Sequence, residues 1–218
     1  VAKYFDIIFT SDENSISRYV SDCGHDRVFS LPFAAQPLIH NPIRNRLPEH
    51  EICFAGSWYF RDHGNRKRDT ELLINAALEH ELHIYDRFYG TEDRNKFPEK
   101  YSEYIRGSLS YEEVCMAYRA YKIFLNVNSV SDSPTMFSRR VFEIMASSTA
   151  VVSTPSLGMQ QMLGDQLCIV DSQTLAEKEI LRLINNDVER MIMAHQGYRE
   201  VMLNHTYSHR MKRILSEV

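Results

Sequence analysis

The chain has 218 residues, 44% of them hydrophobic and 25% charged, with a formal net charge of −4. That is enough apolar material to bury a core in one or two compact domains. No basic run exceeds Arg66-Lys67-Arg68, so nucleic acid is not expected as a main partner, and neither a membrane-spanning apolar run nor a signal-peptide pattern is present. Cys23, Cys53, Cys115 and Cys168 are scattered without CxxC spacing, and three of them sit in apolar segments. They read as reduced core thiols of a cytoplasmic protein.

In chain order, YFDIIF (4–9) predicts a buried strand, with a helix following over 15–23 and ended by Gly24, then a second short strand, RVFSL (27–31). This β-α-β piece starts abruptly and reads as the tail end of something larger. Residues 32–48 hold Pro32, Pro37, Pro42 and Pro48, four of the seven prolines, and predict a stiff linker. A new unit opens at Ile52: ICFAG is a strand running into Gly56 and Ser57, and Leu72, Leu73, Ala76 and Ala77 carry helical spacing over about 67–80. Further strands are expected at 82–86, 123–127, 150–153 and 168–170. They alternate with helices over 111–120, 133–149, 157–163 and 174–185, and two more helices, 188–203 and 208–216, end the chain. Short strands alternating with helices predict an α/β fold, a Rossmann-like parallel sheet with helices on both faces.

The stretch 133–149, SPTMFSRRVFEIMASST, carries the densest chemistry. Ser133 followed by Pro134 is a helix-start signal. The acid of a capping box is missing, since Met136 stands in its place, so the N–H groups of Thr135 and Met136 are expected to be free for an anion. Phe137, Val141, Ile144 and Met145 define a buried face, with Arg139, Arg140 and Glu143 off it. A carboxylate two turns beyond an anion-binding helix start is placed to accept from ribose hydroxyls. Strand, helix and strand in this order are the layout of a nucleotide site. The bland alternative is an ordinary Ser-Pro helix start with an exposed Arg139–Glu143 ion pair, worth roughly 0.3–0.5 kcal/mol.

In a parallel sheet, ligands bind beyond the carboxyl ends of the strands. The segments there carry Arg61, Arg66, Arg87, Asn126, Asn128 and Ser133. Arg66 is the candidate for a diphosphate-binding arginine; its alternative is a solvated cation at a helix start. No GxGxxG or Walker A pattern is present. His205 and His209 have zinc-ligand spacing but no third ligand nearby, Asp132 has no acidic neighbour for a metal pair, and His80 and His83 at a helix–strand junction read as structural. No metal is expected. Trp58, with Tyr59 and Phe60, fits pocket lining and plain packing equally.

The segments FAGSWYFRDHGNRKRD, ELHIYDRFYG, KYSEYIRGSLSYEEV, AYKIFLNVNSVSDSPTMFSRRVFEIMASSTAVVSTPS and HTYSHRMKRIL resemble CgeB-like (spore-maturation-protein-type) glycosyltransferases of the GT-B fold. The likeness runs in register from about residue 4 to 214 and is most specific over 126–156. It implies that residues 51–195 are a nucleotide-sugar-binding domain, that 1–33 are a remnant of the acceptor-side domain with 34–50 as linker, and that 196–218 pack back toward the N-terminal piece. It implies that Glu143 binds ribose, that Ser133, Pro134, Thr135 and Met136 serve the diphosphate through the Thr135 and Met136 amides, and that Arg66 acts with Glu143 in catalysis. Tyr85 and Arg87, with Gly107, Ser108 and Leu109, would flank the base. Two departures stand out. Thr135 replaces a second glutamate of the broader retaining group, and Ser148 and Ala150 replace Gly and Pro. A left-handed backbone at Ser148 would cost about 1 kcal/mol.

The implied reaction is metal-independent transfer of a sugar from a nucleoside diphosphate donor, UDP being favoured, to an acceptor hydroxyl. No cofactor is expected. Asp12 is the only local candidate for a base, and a helix cap explains it equally. Two other classes stay open: a nucleotide-sugar-binding module dependent on a second chain or domain, and a GT-B sugar-nucleotide epimerase.

Overall fold

The computed structural model describes residues 1–43, 48, 50–59, 64–91 and 95–218. Strand β1 (Ile8–Thr10), helix α1 (Ile16–Cys23) and strand β2 (Val28–Ser30) form the N-terminal piece, with β1 and β2 parallel. Gly24 ends α1 at φ 63°, where its N–H reaches back to the Val20 carbonyl at 3.1 Å; glycine takes that left-handed turn without a Cβ penalty. The first strand is shorter than expected from YFDIIF, because Ala2–Tyr4 form a 3-10 turn.

Beyond residue 50, strands β3 (His50–Gly56), β4 (Leu82–Asp86), β5 (Tyr121–Asn126), β6 (Ala150–Ser153) and β7 (Cys168–Ile169) build a five-stranded sheet in the order β4-β3-β5-β6-β7. Every adjacent pair is parallel. Helices α2 (Arg66–Ala77) and α6 (Gln173–Asn185) cover one face. There Ile52, Phe54, Ile84 and Leu125 meet Leu73, Ile74, Ile180 and Leu183. The other face belongs to α3 (Tyr111–Ala120), α4 (Arg140–Ala146), α5 (Leu157–Leu163) and α7 (Asp187–Asn204). Cys53, Ala55, Phe124 and Val151 pack there against Tyr118, Ile144, Met145, Met159 and Val201. Burial on both sides explains why the strands read as continuous apolar runs. Each fully buried Leu, Ile or Phe contributes about 1.5–3 kcal/mol of transfer free energy. All four cysteines are unpaired; three are buried and Cys23 is exposed.

Local signals set most helix ends. Ser110 and Glu113 close a capping box on α3, with the Ser110 N–H donating to Glu113 Oε2 at 2.7 Å. The expectation for 133–149 is corrected: α4 starts at Arg140, not at Ser133. Residues 133–138 are an irregular loop. The helix end then closes as a Schellman motif, with Ser148 N–H on the Met145 carbonyl at 2.9 Å and Thr149 N–H on the Ile144 carbonyl at 3.4 Å. Ser148 sits at φ 54°, the left-handed position in which its resemblance to a glycine site placed it.

The last helix, α8 (Tyr207–Glu217), lies along the N-terminal piece. Arg210 donates to the carbonyls of Pro32 and Phe33 at 2.7 and 2.8 Å, and Arg27 Nη2 donates to the Glu217 carbonyl at 2.7 Å. No helix among the described residues is long and apolar enough to cross a membrane.

Candidate functional site

The carboxyl ends of β3, β4 and β5 open onto a cleft of about 690 Å³. Its walls include Gly56 and Ser57 from the end of β3, Tyr85 and Arg87 from β4, Leu109 before α3, Arg66 at the start of α2, and Arg139, Arg140 and Glu143 around α4. A narrower recess of about 230 Å³ continues from it and shares Phe33, Arg66, Ser129, Arg139 and Arg140, with Met136 added. The sequence thus identifies nine residues that one cavity brings together, drawn from five separate segments.

Glu143 is the deepest charged group, 3% exposed. Its Oε1 lies 2.8 Å from Arg139 Nε, and its Oε2 accepts from the Tyr118 hydroxyl at 3.0 Å. The exposed-ion-pair alternative therefore fails for the glutamate, although the Arg139 side chain remains 51% exposed. Tyr111, Val114 and Tyr118 line the same wall. Their 3,4 spacing on α3 was a readable helical face that the sequence reading did not use. Burial pushes the Tyr118 phenol well up, with the Glu143 carboxylate adding to the effect, so the hydroxyl stays a donor.

Arg66 donates from Nε to the Tyr59 carbonyl at 3.0 Å and from Nη1 to Ser129 Oγ at 3.1 Å. Arg140 Nη1 donates to the Ala55 carbonyl. Burial lowers the pKa of Arg66, and the neighbouring Arg140 charge lowers it further. Among the described residues neither guanidinium has a carboxylate partner. Two like charges in a half-buried cleft, with no carboxylate partner among the described residues, are arranged as an anion would require.

Several expected donors do other work. Ser133 is fully buried and donates to Asp12 Oδ1 at 2.7 Å. Its Oγ accepts from both the Thr135 N–H, at 3.3 Å, and the Met136 N–H, at 3.0 Å. The anion-ready amides are therefore taken by their own turn, and that part of the reading is corrected. Thr135 Oγ1 donates to the Ser11 carbonyl and accepts from the Glu13 N–H, both at 2.9 Å, while the Pro134 backbone packs where a Cβ on Gly158 would fall, at 2.9 Å. This turn latches the N-terminal piece to the sheet. The amides of Arg139 and Arg140, one turn later, have no acceptor among the described residues.

Asn126 and Asn128 are also structural. Asn126 Nδ2 donates to Ser153 Oγ at 2.8 Å, and Asn128 bridges the Thr154 carbonyl, at 2.9 Å, to the Ser138 N–H, at 3.0 Å. Together they fix the loop that presents Ser138 and Arg139. Gly107 lies behind the wall, at φ 105°, its carbonyl accepting from the Asp86 N–H at 2.8 Å; neither it nor Ser108 lines the cleft. Arg61 lies outside the described residues. Asp12 caps the turn after β1 by accepting from the Asn14 N–H at 3.1 Å. His205 and His209 do not converge on one point: His209 Nδ1 pairs with Thr206 at 2.7 Å and His205 Nδ1 with Arg210 at 3.0 Å.

One residue was missed outright. His40, within the segment read as linker, is 1% exposed, and its Nε2 lies 3.9 Å from Glu143 Oε1. Its Nδ1 accepts from the Gln36 N–H at 3.1 Å, leaving Nε2 to carry the proton of the neutral ring and face the carboxylate. Burial lowers its pKa against the opposing pull of Glu143, and the nearby Arg139 and Arg119 charges add to the lowering.

A model of the family described as "Glycosyl transferase-like" matches residues 36–216. No curated protein matches the sequence. Among solved structures, sucrose-phosphate synthase from Thermosynechococcus elongatus superposes with a TM-score of 0.68 at 14% identity, over 96% of this chain and 56% of that one. Anabaena Alr3699/HepE, solved with UDP and glucose, gives 0.67 at 11%, over 99% and 64%. The C-terminal domain of the group 1 glycosyl transferase LpcC from Francisella tularensis gives 0.55 at 18%, over 78% and 97%. The chain spans 56% and 64% of the length of the first two, so these likenesses speak for the fold. With the parallel sheet, the cleft at its carboxyl edge and the family match over most of its length, the chain belongs to the glycosyl transferase-like family and carries the GT-B fold.

Proposed function

We propose that the cleft binds the diphosphate and ribose of a nucleoside diphosphate sugar, and that the protein transfers the sugar to an acceptor hydroxyl. The observation that carries this reading is the Arg66–Arg140 pair, two cations without a carboxylate partner among the described residues, set in the same cleft as the buried Glu143 carboxylate. Sugar transfer builds negative charge on the departing diphosphate. Fixed guanidinium groups aimed at that charge stabilise it without reorganising, in this reading without a divalent metal. Glu143, held by Tyr118, accepts from the ribose and fixes the donor's orientation. UDP is the favoured nucleotide, in keeping with the UDP and glucose bound by the Anabaena neighbour, which also makes a hexose the favoured sugar. Within the family, the CgeB-like type fits best on the block 126–156.

In this reading residues 51–195 hold the donor, residues 1–33 belong to the acceptor side, 34–50 connect the two, and 196–218 return to the N-terminal piece. A second reading, a nucleotide-sugar-binding module that acts with a partner, draws on a different observation. Glu143 is the only carboxylate among the described residues lining the cleft, no imidazole lines it, and Asp12 is committed to its cap and to Ser133. No described residue there is free to act as a base for the acceptor.

The test is thermal shift with UDP, GDP, ADP and dTDP. A ligand at 100 times its Kd stabilises by about 2.7 kcal/mol, a rise of roughly 5–10 °C for a chain of this size. Arg66→Ala and Arg140→Ala each abolish the rise at the same concentration. An unchanged rise in both variants, or none with any nucleotide, refutes the site. Transfer from labelled donor by this chain alone separates the enzyme from the module.

A further inference from the structure

We propose that His50, Glu81 and His83 form a binding site for one divalent transition-metal ion of zinc-like preference, at the end of the sheet opposite the cleft. Their candidate ligand atoms lie within 4.8 Å of one another. His50 Nδ1 is 2.6 Å from Glu81 Oε1, and His83 Nε2 is 3.6 Å from the same oxygen. Two imidazoles and one carboxylate with an open fourth position are a zinc-type donor set.

A second observation points the same way. The other nitrogen of His83, Nδ1, is paired with the Tyr121 hydroxyl at 2.8 Å. Tyr121 is 2% exposed, and its hydroxyl is pinned in turn by Tyr85 at 3.0 Å. Metal-bound histidines characteristically use the second ring nitrogen in this way, which fixes the tautomer and aims the first at the ion. The site is also rigidly mounted. His50 opens β3, His83 lies in β4, and Glu81, just before β4, is held to β3 by its carbonyl, which accepts from the Ile52 N–H at 3.1 Å. Tetrahedral coordination at zinc–ligand distances of about 2.0–2.2 Å sets ligand atoms roughly 3.3 Å apart. The adjustment falls on His50 and Glu81, whose side chains are 38% and 44% exposed, while His83 at 13% stays put. The partial exposure of His50 leaves an entry path from solvent.

The site shares no ligand with the cleft, whose walls are reached from the other ends of β3 and β4. Calorimetric titration of the chelator-stripped protein with zinc is expected to give one ion per chain. Zinc at 100 times its Kd is expected to raise Tm by about 5–10 °C. His50→Gln and Glu81→Gln each weaken uptake by at least about tenfold while leaving the metal-free Tm near wild type, since both side chains are partly exposed. Tyr121→Phe, which removes only the outer partner, costs about 10–100-fold. Uptake unaffected by both His50→Gln and Glu81→Gln overturns the proposal, as does a wild-type protein that takes up no zinc at micromolar concentrations.

Discussion

Replacing Glu143 by glutamine separates its structural role from its proposed binding role. In the folded protein the carboxylate satisfies one buried donor, the Tyr118 hydroxyl at 3.0 Å, and one half-exposed cation, Arg139 at 2.8 Å. Glutamine keeps the shape and an oxygen for Tyr118. Its amide donates toward Arg139, which is 51% exposed and free to swing into water. Glutamine is neutral and Arg139 reaches water, so no buried charge is left unpaired; the loss is on the order of 1 kcal/mol, and the Tm of Glu143→Gln falls by roughly 2–4 °C. Glu143→Ala instead leaves the Tyr118 hydroxyl without its partner, a cost of about 1–3 kcal/mol, and adds the lost packing of a buried side chain. Binding ranks the variants differently. A hydrogen bond to a charged acceptor is worth about 1.5–3 kcal/mol, so loss of the charge weakens nucleoside diphosphate affinity roughly 10–150-fold. Calorimetry on Glu143→Gln, beside a melt of the free protein, reads both numbers. A variant that binds like wild type while melting a few degrees lower shows that Glu143 is a structural acid, and the ribose assignment is then wrong.

Two further expectations concern stability. Ser148→Gly relieves a left-handed residue at φ 54° and raises stability by about 1 kcal/mol, a Tm gain of roughly 2–4 °C; a lower Tm contradicts the strain argument. His205 is held near a pKa of about 4 by burial, with Arg210 adding to it. Its folded-state value lies below the unfolded one, so its contribution is present above about pH 6.5 and is lost as pH falls toward 4. Over that window the loss is on the order of 3 kcal/mol. Tm measured from pH 7 to 4 falls less steeply in His205→Asn, and identical acid limbs count against this account.

Much of the architecture is written locally. The strands at 82–86 and 150–153 and the helices at 111–120 and 157–163 match their expected bounds, because each combines an apolar pattern with a strong punctuator such as Ser110 or Gly164. The stretch 133–139 does not, and the reason is tertiary. Ser133 makes the bonds of a helix cap, but Asp12 fixes its hydroxyl from 121 residues away, and Asn128 takes the Ser138 N–H that a helix starting at Ser133 would have used. A hydroxyl serving a local turn competes with helix, and distant partners decide the outcome. Glu143, Arg66 and Arg139 were legible because helical spacing and strand ends are local. His40 was not, since four prolines marked its surroundings as connector and nothing nearby signals its approach to Glu143.

The latch at Ser133 and Thr135 has a mechanical consequence. The same few residues that clasp Ser11, Asp12 and Glu13 continue directly into Ser138 and Arg139 on the rim of the cleft. The path from the end of the first strand to Arg139 thus runs along one short loop and does not cross the core. If the cleft holds a phosphate as proposed, loosening Asp12 slackens both the N-terminal clasp and the seat of the cleft arginines.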